Sequence, residues 1–103
     1  MKVKCLKSAN RRLIKCQIYE VLGIEADLYR ILNNDNEPCL YNPKDFEIID
    51  PIEPSFWESK IGEDGERYAY PIEWNQSGFF ESYHDRVASV VDKFWIVYRR
   101  LFS

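Results

Sequence analysis

The chain of 103 residues has no long apolar run, a single histidine and no glycine-rich phosphate loop. No segment approaches the roughly 20 apolar residues that a membrane-spanning helix needs. The basic residues at positions 1–6 are not followed by the apolar stretch of a signal peptide. The three cysteines are irregularly spaced, which does not suggest a disulfide framework. We therefore expect a cytoplasmic protein with no membrane association, held in a reducing compartment.

Candidate catalytic and metal-binding constellations are also few. A zinc site would have to draw on Cys5, Cys16, Cys39 and His84, and no pair of these has the close spacing of a zinc clip. An acid–base cluster could be built from Glu81, His84 and Asp85, which share one helix face at i, i+3 and i+4. Neither set comes with a nucleophile motif, so packing and surface charge pairing are the better interpretations. We predict no enzyme activity, no metal and no cofactor.

A chain of this length predicts one domain over residues 1–103. Its turn-forming and breaker residues divide it into strands over 1–50, a linker and hairpin over 51–78, and a helix over 79–103. The predicted class is α+β: a small five-stranded barrel-like sheet, a β-hairpin and one long C-terminal helix.

The first fifty residues predict five short strands. Residues 2–5 alternate basic and apolar side chains, and residues 15–22 are predicted to form a second strand that ends at Gly23. Residues 28–32 and 38–41 flank the Asn/Asp turn at 33–36. A helical turn at 42–45 and a fifth strand at 46–49 follow. Closure into a barrel would remove the exposed strand edges.

These residues also carry a resemblance. Three runs carry it: Tyr-Glu-Val-Leu at 19–22, Tyr-Arg-Ile at 29–31 and Phe-Glu-Ile-Ile at 46–49. Together with Tyr41 and the asparagine-rich turn, they resemble small bacterial and phage domains of the Src-homology-3-like barrel type. The helical turn before the last strand is characteristic of that barrel. The resemblance covers about half the chain and says little about function.

The second half predicts a hairpin and an amphipathic helix. Asp64-Gly65 stands between two aromatic, β-prone runs, which is a strong hairpin signal. Beyond residue 79, apolar side chains recur at spacings of three and four. They are Phe80, Tyr83, Val87, Val90, Val91, Phe94, Val97, Tyr98 and Leu101. Asp85 could alternatively cap a shorter helix that follows an extended Phe79-Phe80 segment.

Charge is sorted along the chain. Residues 1–44 carry a net charge of +3, residues 45–85 a net charge of −9, and residues 86–103 a net charge of +3. The acidic segment also holds nine of the sixteen aromatic residues. Such a surface fits a basic protein. The predicted partner-binding residues are Glu53, Trp57, Glu58, Glu63, Asp64, Glu66, Glu73 and Trp74. Solubility is the plainer explanation of the same charge.

In its small size, its acidity and its lack of catalytic motifs, the chain resembles an immunity protein of a bacterial polymorphic-toxin or contact-dependent growth inhibition system. The segment Trp-Asn-Gln-Ser-Gly-Phe-Phe-Glu-Ser-Tyr at 74–83 adds to that resemblance. It implies non-catalytic neutralisation of a basic toxin domain, such as a nuclease. The alternative is a phage- or plasmid-type adaptor that binds nucleic acid through the basic residues Lys2, Lys4, Lys7, Arg11, Arg12 and Lys15. The overall acidity argues against nucleic acid. The sequence leaves the oligomeric state open.

Overall fold

The computed structural model of the protein describes residues 1–7 and 12–103, so Arg11 of the basic set lies outside the described residues. Seven strands and two helices lie within these ranges. They are β1 (Lys2–Cys5), β2 (Ile18–Glu25), β3 (Leu28–Leu32), β4 (Pro38–Tyr41), β5 (Phe46–Asp50), β6 (Trp57–Ile61), β7 (Arg67–Pro71), α1 (Phe79–His84) and α2 (Ala88–Leu101). Short 3-10 turns, Pro43–Asp45 and Ile72–Trp74, precede β5 and follow β7. The fold is α+β, as predicted.

Five strands form an antiparallel path in the order β4-β3-β2-β1-β5. The long strand β2 holds the path together, because its first residues pair with β1 and its later residues pair with β3. The predicted end of this strand at Gly23 is wrong, since β2 continues to Glu25. A Cβ at Gly23 would lie 2.1 Å from Cδ1 of Tyr70. The absence of a side chain at Gly23 therefore leaves room for the Tyr70 ring against β2, and the strand continues through this glycine.

The predicted closed barrel is also wrong, because the sheet is open. Among the described residues, β4 pairs only with β3 and β5 pairs only with β1, so the ends of the path do not join. The hairpin of β6 and β7 extends this same sheet, since Ile24 of β2 pairs with Ala69 of β7. Pairing between strands so distant in sequence follows from packing, which local alternation does not encode.

The single long helix predicted over residues 79–103 is instead two helices. The chain breaks at Arg86, whose φ of 63° is left-handed, and at Val87, which is extended. Phe79 and Phe80 belong to α1, and Asp85 caps the end of that helix rather than the start of the next. The break lets the Tyr83 and Phe94 rings meet edge-to-face at 5.1 Å between centroids. Apolar spacing continues across the break, so periodicity alone indicates one helix.

Apolar side chains form two clusters on opposite faces of the sheet. Neighbouring residues on β2 and β7 alternate between them: Val21 and Ala69 lie in the first cluster, and Leu22 and Tyr70 lie in the second. The second cluster contains the buried rings of both helices and of Trp74. The helices therefore cover one face of the sheet. None of the helices in the described ranges is both long and apolar enough to cross a membrane.

Candidate acidic binding site

Four of the predicted site residues lie on the β6–β7 hairpin and are called here the hairpin carboxylates: Glu58, Glu63, Asp64 and Glu66. Glu63 and Asp64 are exposed in the turn, where Gly65 takes a φ of 80°. Glu66 is half-buried and folds over Gly62, since a Cβ at Gly62 would lie 1.6 Å from its Oε1. Among the described residues, no cation lies within ion-pair distance of any of the four. Glu58, Glu63 and Asp64 are exposed to solvent, whereas Glu66 Oε1 is buried and has no hydrogen-bond partner among the described residues.

Glu53 and Glu73 differ, because each is already paired within the chain. Arg67 donates two hydrogen bonds of 2.6 Å to the Glu53 carboxylate, and Arg100 pairs with Glu73. The hydrogen bonds from Arg67 hold the pKa of Glu53 below its usual range, and those from Arg100 do the same to the pKa of Glu73. Glu53 thereby attaches the segment before β6 to the fold, and Glu73 attaches the second 3-10 turn. Both carboxylates offer less free charge to a partner.

Trp57 and Trp74 are buried in the two apolar clusters, with 8% and 1% of their surface exposed. The Trp74 ring stacks on Phe94 at 4.7 Å and on Phe102 at 5.7 Å between centroids. Neither indole is placed to anchor a partner from the surface. The acidic segment does expose other apolar side chains, among them Ile61 and Ile72, about two-thirds exposed each.

A cavity of about 590 Å³ opens beside the hairpin carboxylates, between the end of the hairpin and the segment that leads into α1. Three carboxylates line it: Glu63 from the hairpin, Glu25 from the end of β2, and Glu81 from α1. Its lining also includes Lys60 and five aromatic residues, of which Tyr68 is half-buried and Tyr70, Trp74, Phe79 and Phe80 are buried. The cavity combines apolar surface with convergent charged groups, as ligand pockets do.

The floor of this cavity is fixed by a buried arginine. Arg30, 4% exposed, donates from Nη2 to Glu25 Oε1 at 2.8 Å, from Nε to the Tyr70 hydroxyl at 2.9 Å, and from Nη1 to the Pro38 carbonyl at 2.8 Å. The Tyr70 hydroxyl in turn donates to Glu25 Oε1 at 3.0 Å. Burial raises the pKa of Tyr70 far above its usual range, so this hydroxyl keeps its proton at all ordinary pH values.

Most of these cavity residues are absent from the predicted site. Glu25, Arg30 and Tyr70 come from three strands, and nothing local in the sequence shows that they meet. Glu81 is singled out by the sequence only as part of an acid–base cluster with His84 and Asp85. The structure separates that cluster: Glu81 lines the cavity, while His84 Nε2 lies 3.2 Å from the Pro38 carbonyl.

The basic N-terminal face is not a uniform patch. Lys2 of β1 is the cross-strand neighbour of Glu20 on one side and Asp50 on the other, and Lys4 is the neighbour of Glu47. Cross-strand neighbours lie on the same face of a sheet. Carboxylates therefore lie between the lysines and break up the continuous basic surface that binding to a phosphate backbone needs.

The cysteines do not gather with the histidine. Cys5 is buried, Cys39 is half-buried and Cys16 is exposed, and all three are free thiols. Burial is the main cause that raises the pKa of the Cys39 thiol, which favours its neutral form. In the part of the chain that the structure describes, no three histidine, cysteine or acidic side chains converge as metal ligands.

Comparisons of the chain with protein-family models, with curated proteins and with solved structures find no match. The geometry of the acidic end of the sheet therefore carries the functional argument.

Proposed function

We propose that this chain is a non-catalytic immunity protein of the cytoplasm, which binds and neutralises a basic toxin domain of the nuclease type. The observation that carries the proposal is the group of hairpin carboxylates, none of which forms an ion pair within the described residues and one of which, Glu63, lines an acidic, aromatic cavity. Carboxylates that are unpaired within a fold attract a basic surface and speed its association.

The placement of the other charges supports the choice of a protein partner over nucleic acid. Lys2 and Lys4 of β1 have carboxylates as cross-strand neighbours, whereas the cross-strand neighbour of Glu58 on the hairpin is the uncharged Tyr70. Exposed Ile61 borders the cavity and Ile72 follows β7, so apolar contact surface accompanies the charge. Apolar contacts flanked by charge are typical of interfaces in which the charges set the encounter rate.

The test is affinity purification of the tagged chain from its own host, followed by a toxicity assay on the protein that is retained. We expect a basic protein that is retained stoichiometrically at low salt and whose toxicity the wild-type chain suppresses. The variant with Glu58→Lys, Glu63→Lys and Asp64→Lys should lose both properties. A matched variant, Glu20→Lys with Glu47→Lys and Asp92→Lys, makes the same charge change on β2, β5 and α2 and should keep them.

Two results would overturn the proposal. One is retention of a toxic partner by the hairpin variant with unchanged strength. The other is salt-dependent binding of the chain to DNA or RNA that Lys2→Glu with Lys4→Glu abolishes, which would assign function to the basic face instead.

A further inference from the structure

We infer that the cavity between the hairpin and α1 is an arginine-binding site, which receives one arginine side chain of the basic partner. This inference rests on the proposed function and assigns a specific occupant to the cavity beside the hairpin carboxylates. A guanidinium is planar and weakly hydrated, stacks on aromatic rings and forms paired hydrogen bonds with carboxylates. The cavity offers both kinds of contact.

The first support is the charge of the lining. Glu25, Glu63 and Glu81 face the cavity, against the single ammonium of Lys60. Arg30 compensates Glu25 from within the fold, which leaves the carboxylates of Glu63 and Glu81 against Lys60. The Lys60 Nζ lies 5.9 Å from the centre of the Tyr68 ring, at the hairpin wall. One negative charge remains in surplus, so a single added cation would neutralise the site.

The second support is the way the fold binds its own guanidinium at this wall. The Arg30 guanidinium lies 4.0 Å from the centre of the Phe80 ring and is held by the Glu25 carboxylate and the Tyr70 hydroxyl. Phe80, Glu25 and Tyr70 all line the cavity as well. The remaining lining repeats the same chemistry, with Glu81 and Glu63 as carboxylates and Phe79 and Tyr68 as rings.

The third support is an unpartnered donor. Trp74 lines the cavity and is 1% exposed, and its indole Nε1–H has no acceptor among the described residues. Indole is a donor only, and a buried donor without an acceptor is costly. The Nε1 atom has almost no exposed surface, so a backbone carbonyl reaches it only where an occupant displaces the neighbouring wall, while the cation of the same occupant meets the carboxylates. An arginine residue of a peptide chain has both groups.

The probe is N-acetyl-L-arginine N-methylamide, titrated into the isotopically labelled chain and followed by amide and indole NMR signals. We expect saturable shifts in the backbone amides of residues 61–63 and 77–81 and in the Trp74 indole signal. The citrulline analogue has the same shape without the charge, and we expect it to bind about 10-fold more weakly. Glu63→Gln with Glu81→Gln should weaken binding of the arginine probe by a similar factor, while the matched control, Glu47→Gln with Asp92→Asn at exposed positions on β5 and α2, should change it less than about twofold.

Shifts that are absent, scattered over the surface or equal for the citrulline analogue would overturn the inference. Its failure and that of the proposed function are distinguishable with Ser77→Trp, which places a large ring at the cavity wall. If the partner binds this variant as tightly as the wild type, the arginine site is wrong and the proposed function stands. If saturable probe binding is seen but no basic partner is retained by the wild type, the site stands and the proposed function fails.

Discussion

The guanidinium of Arg30 on β3 lies 4.0 Å from the centre of the Phe80 ring on α1. This contact joins the sheet to the first helix, and the same arginine also bonds Glu25 at the end of β2 and Tyr70 on β7. One buried cation thereby holds four elements in register around the floor of the acidic cavity. Sheet, hairpin and helix depend on one another at this point.

Arg30→Met should therefore lower the free energy of unfolding by about 2–4 kcal/mol, because it removes the three hydrogen bonds that the buried guanidinium donates to Glu25, the Tyr70 hydroxyl and the Pro38 carbonyl. The matched control Glu25→Gln should cost about 1 kcal/mol or less, since Glu25 is one-third exposed and glutamine still offers an acceptor. Urea unfolding of the three proteins measures both changes. Equal losses in the two variants would show that Arg30 acts only through its ion pair with Glu25.

Phe94→Ala should lower the free energy of unfolding by about 3–5 kcal/mol. Phe94 is fully buried and packs against the rings of Trp74, Phe80 and Tyr83, so its removal leaves a cavity in the second cluster. Ile96→Ala on the exposed side of α2 is the control and should cost less than about 1 kcal/mol. A Phe94→Ala variant that melts like the wild type would contradict the placement of α2 on the sheet.

The break between the helices can be tested at Arg86. Arg86→Val should cost about 1–2 kcal/mol, because a β-branched residue is strained at a φ of 63°. Arg86→Gly relieves the strain and loses an ion pair with Glu37 and a 5.9 Å contact with the Tyr83 ring, both made by a largely exposed guanidinium, so its stability should stay within about 1 kcal/mol of the wild type. Thermal or urea unfolding of the two variants shows which of them is the more stable. If valine were tolerated better than glycine, a continuous helix through this position would be the better description.

The paired carboxylates predict an acid-sensitive stability. The pKa of Glu53 is lowered by its hydrogen bonds from Arg67, and the pKa of Glu73 by those from Arg100. A lowered pKa gives stabilisation that is complete above the usual glutamate value of about 4.3 and is lost as the pH falls through the folded-state pKa.

Carboxylate NMR titration checks the assignment of each pair. Arg67→Gln should return the pKa of Glu53 toward its usual value and leave that of Glu73 low, while Arg100→Gln should do the reverse. If each arginine variant moved both carboxylates together, the two ion pairs would not be independent.

Much of the local structure is predictable from the sequence. The bounds of β3 and β4, the turn before β5 and the hairpin around Asp64-Gly65 follow from alternation and turn residues, and the structure confirms them. Composition does not separate a buried tryptophan from an exposed one, so Trp57 and Trp74 fit a surface site and a core equally well. The meeting of Glu25, Arg30, Tyr70 and Phe80 depends on strand order, and the turn at Arg86 depends on tertiary contacts. Local sequence patterns predict neither the strand order nor the turn at Arg86.

The proposed function requires that the hairpin carboxylates attract a basic protein. The most direct measurement is the association rate of the retained partner with wild-type chain and with the variant carrying Glu58→Lys, Glu63→Lys and Asp64→Lys, across a salt titration. We predict a wild-type rate that falls steeply as salt rises, and a variant rate at least about 10-fold lower at low salt that hardly depends on salt. The variant of Glu20, Glu47 and Asp92 should follow the wild type. Equal rates and equal salt dependence for wild type and hairpin variant would contradict the claim.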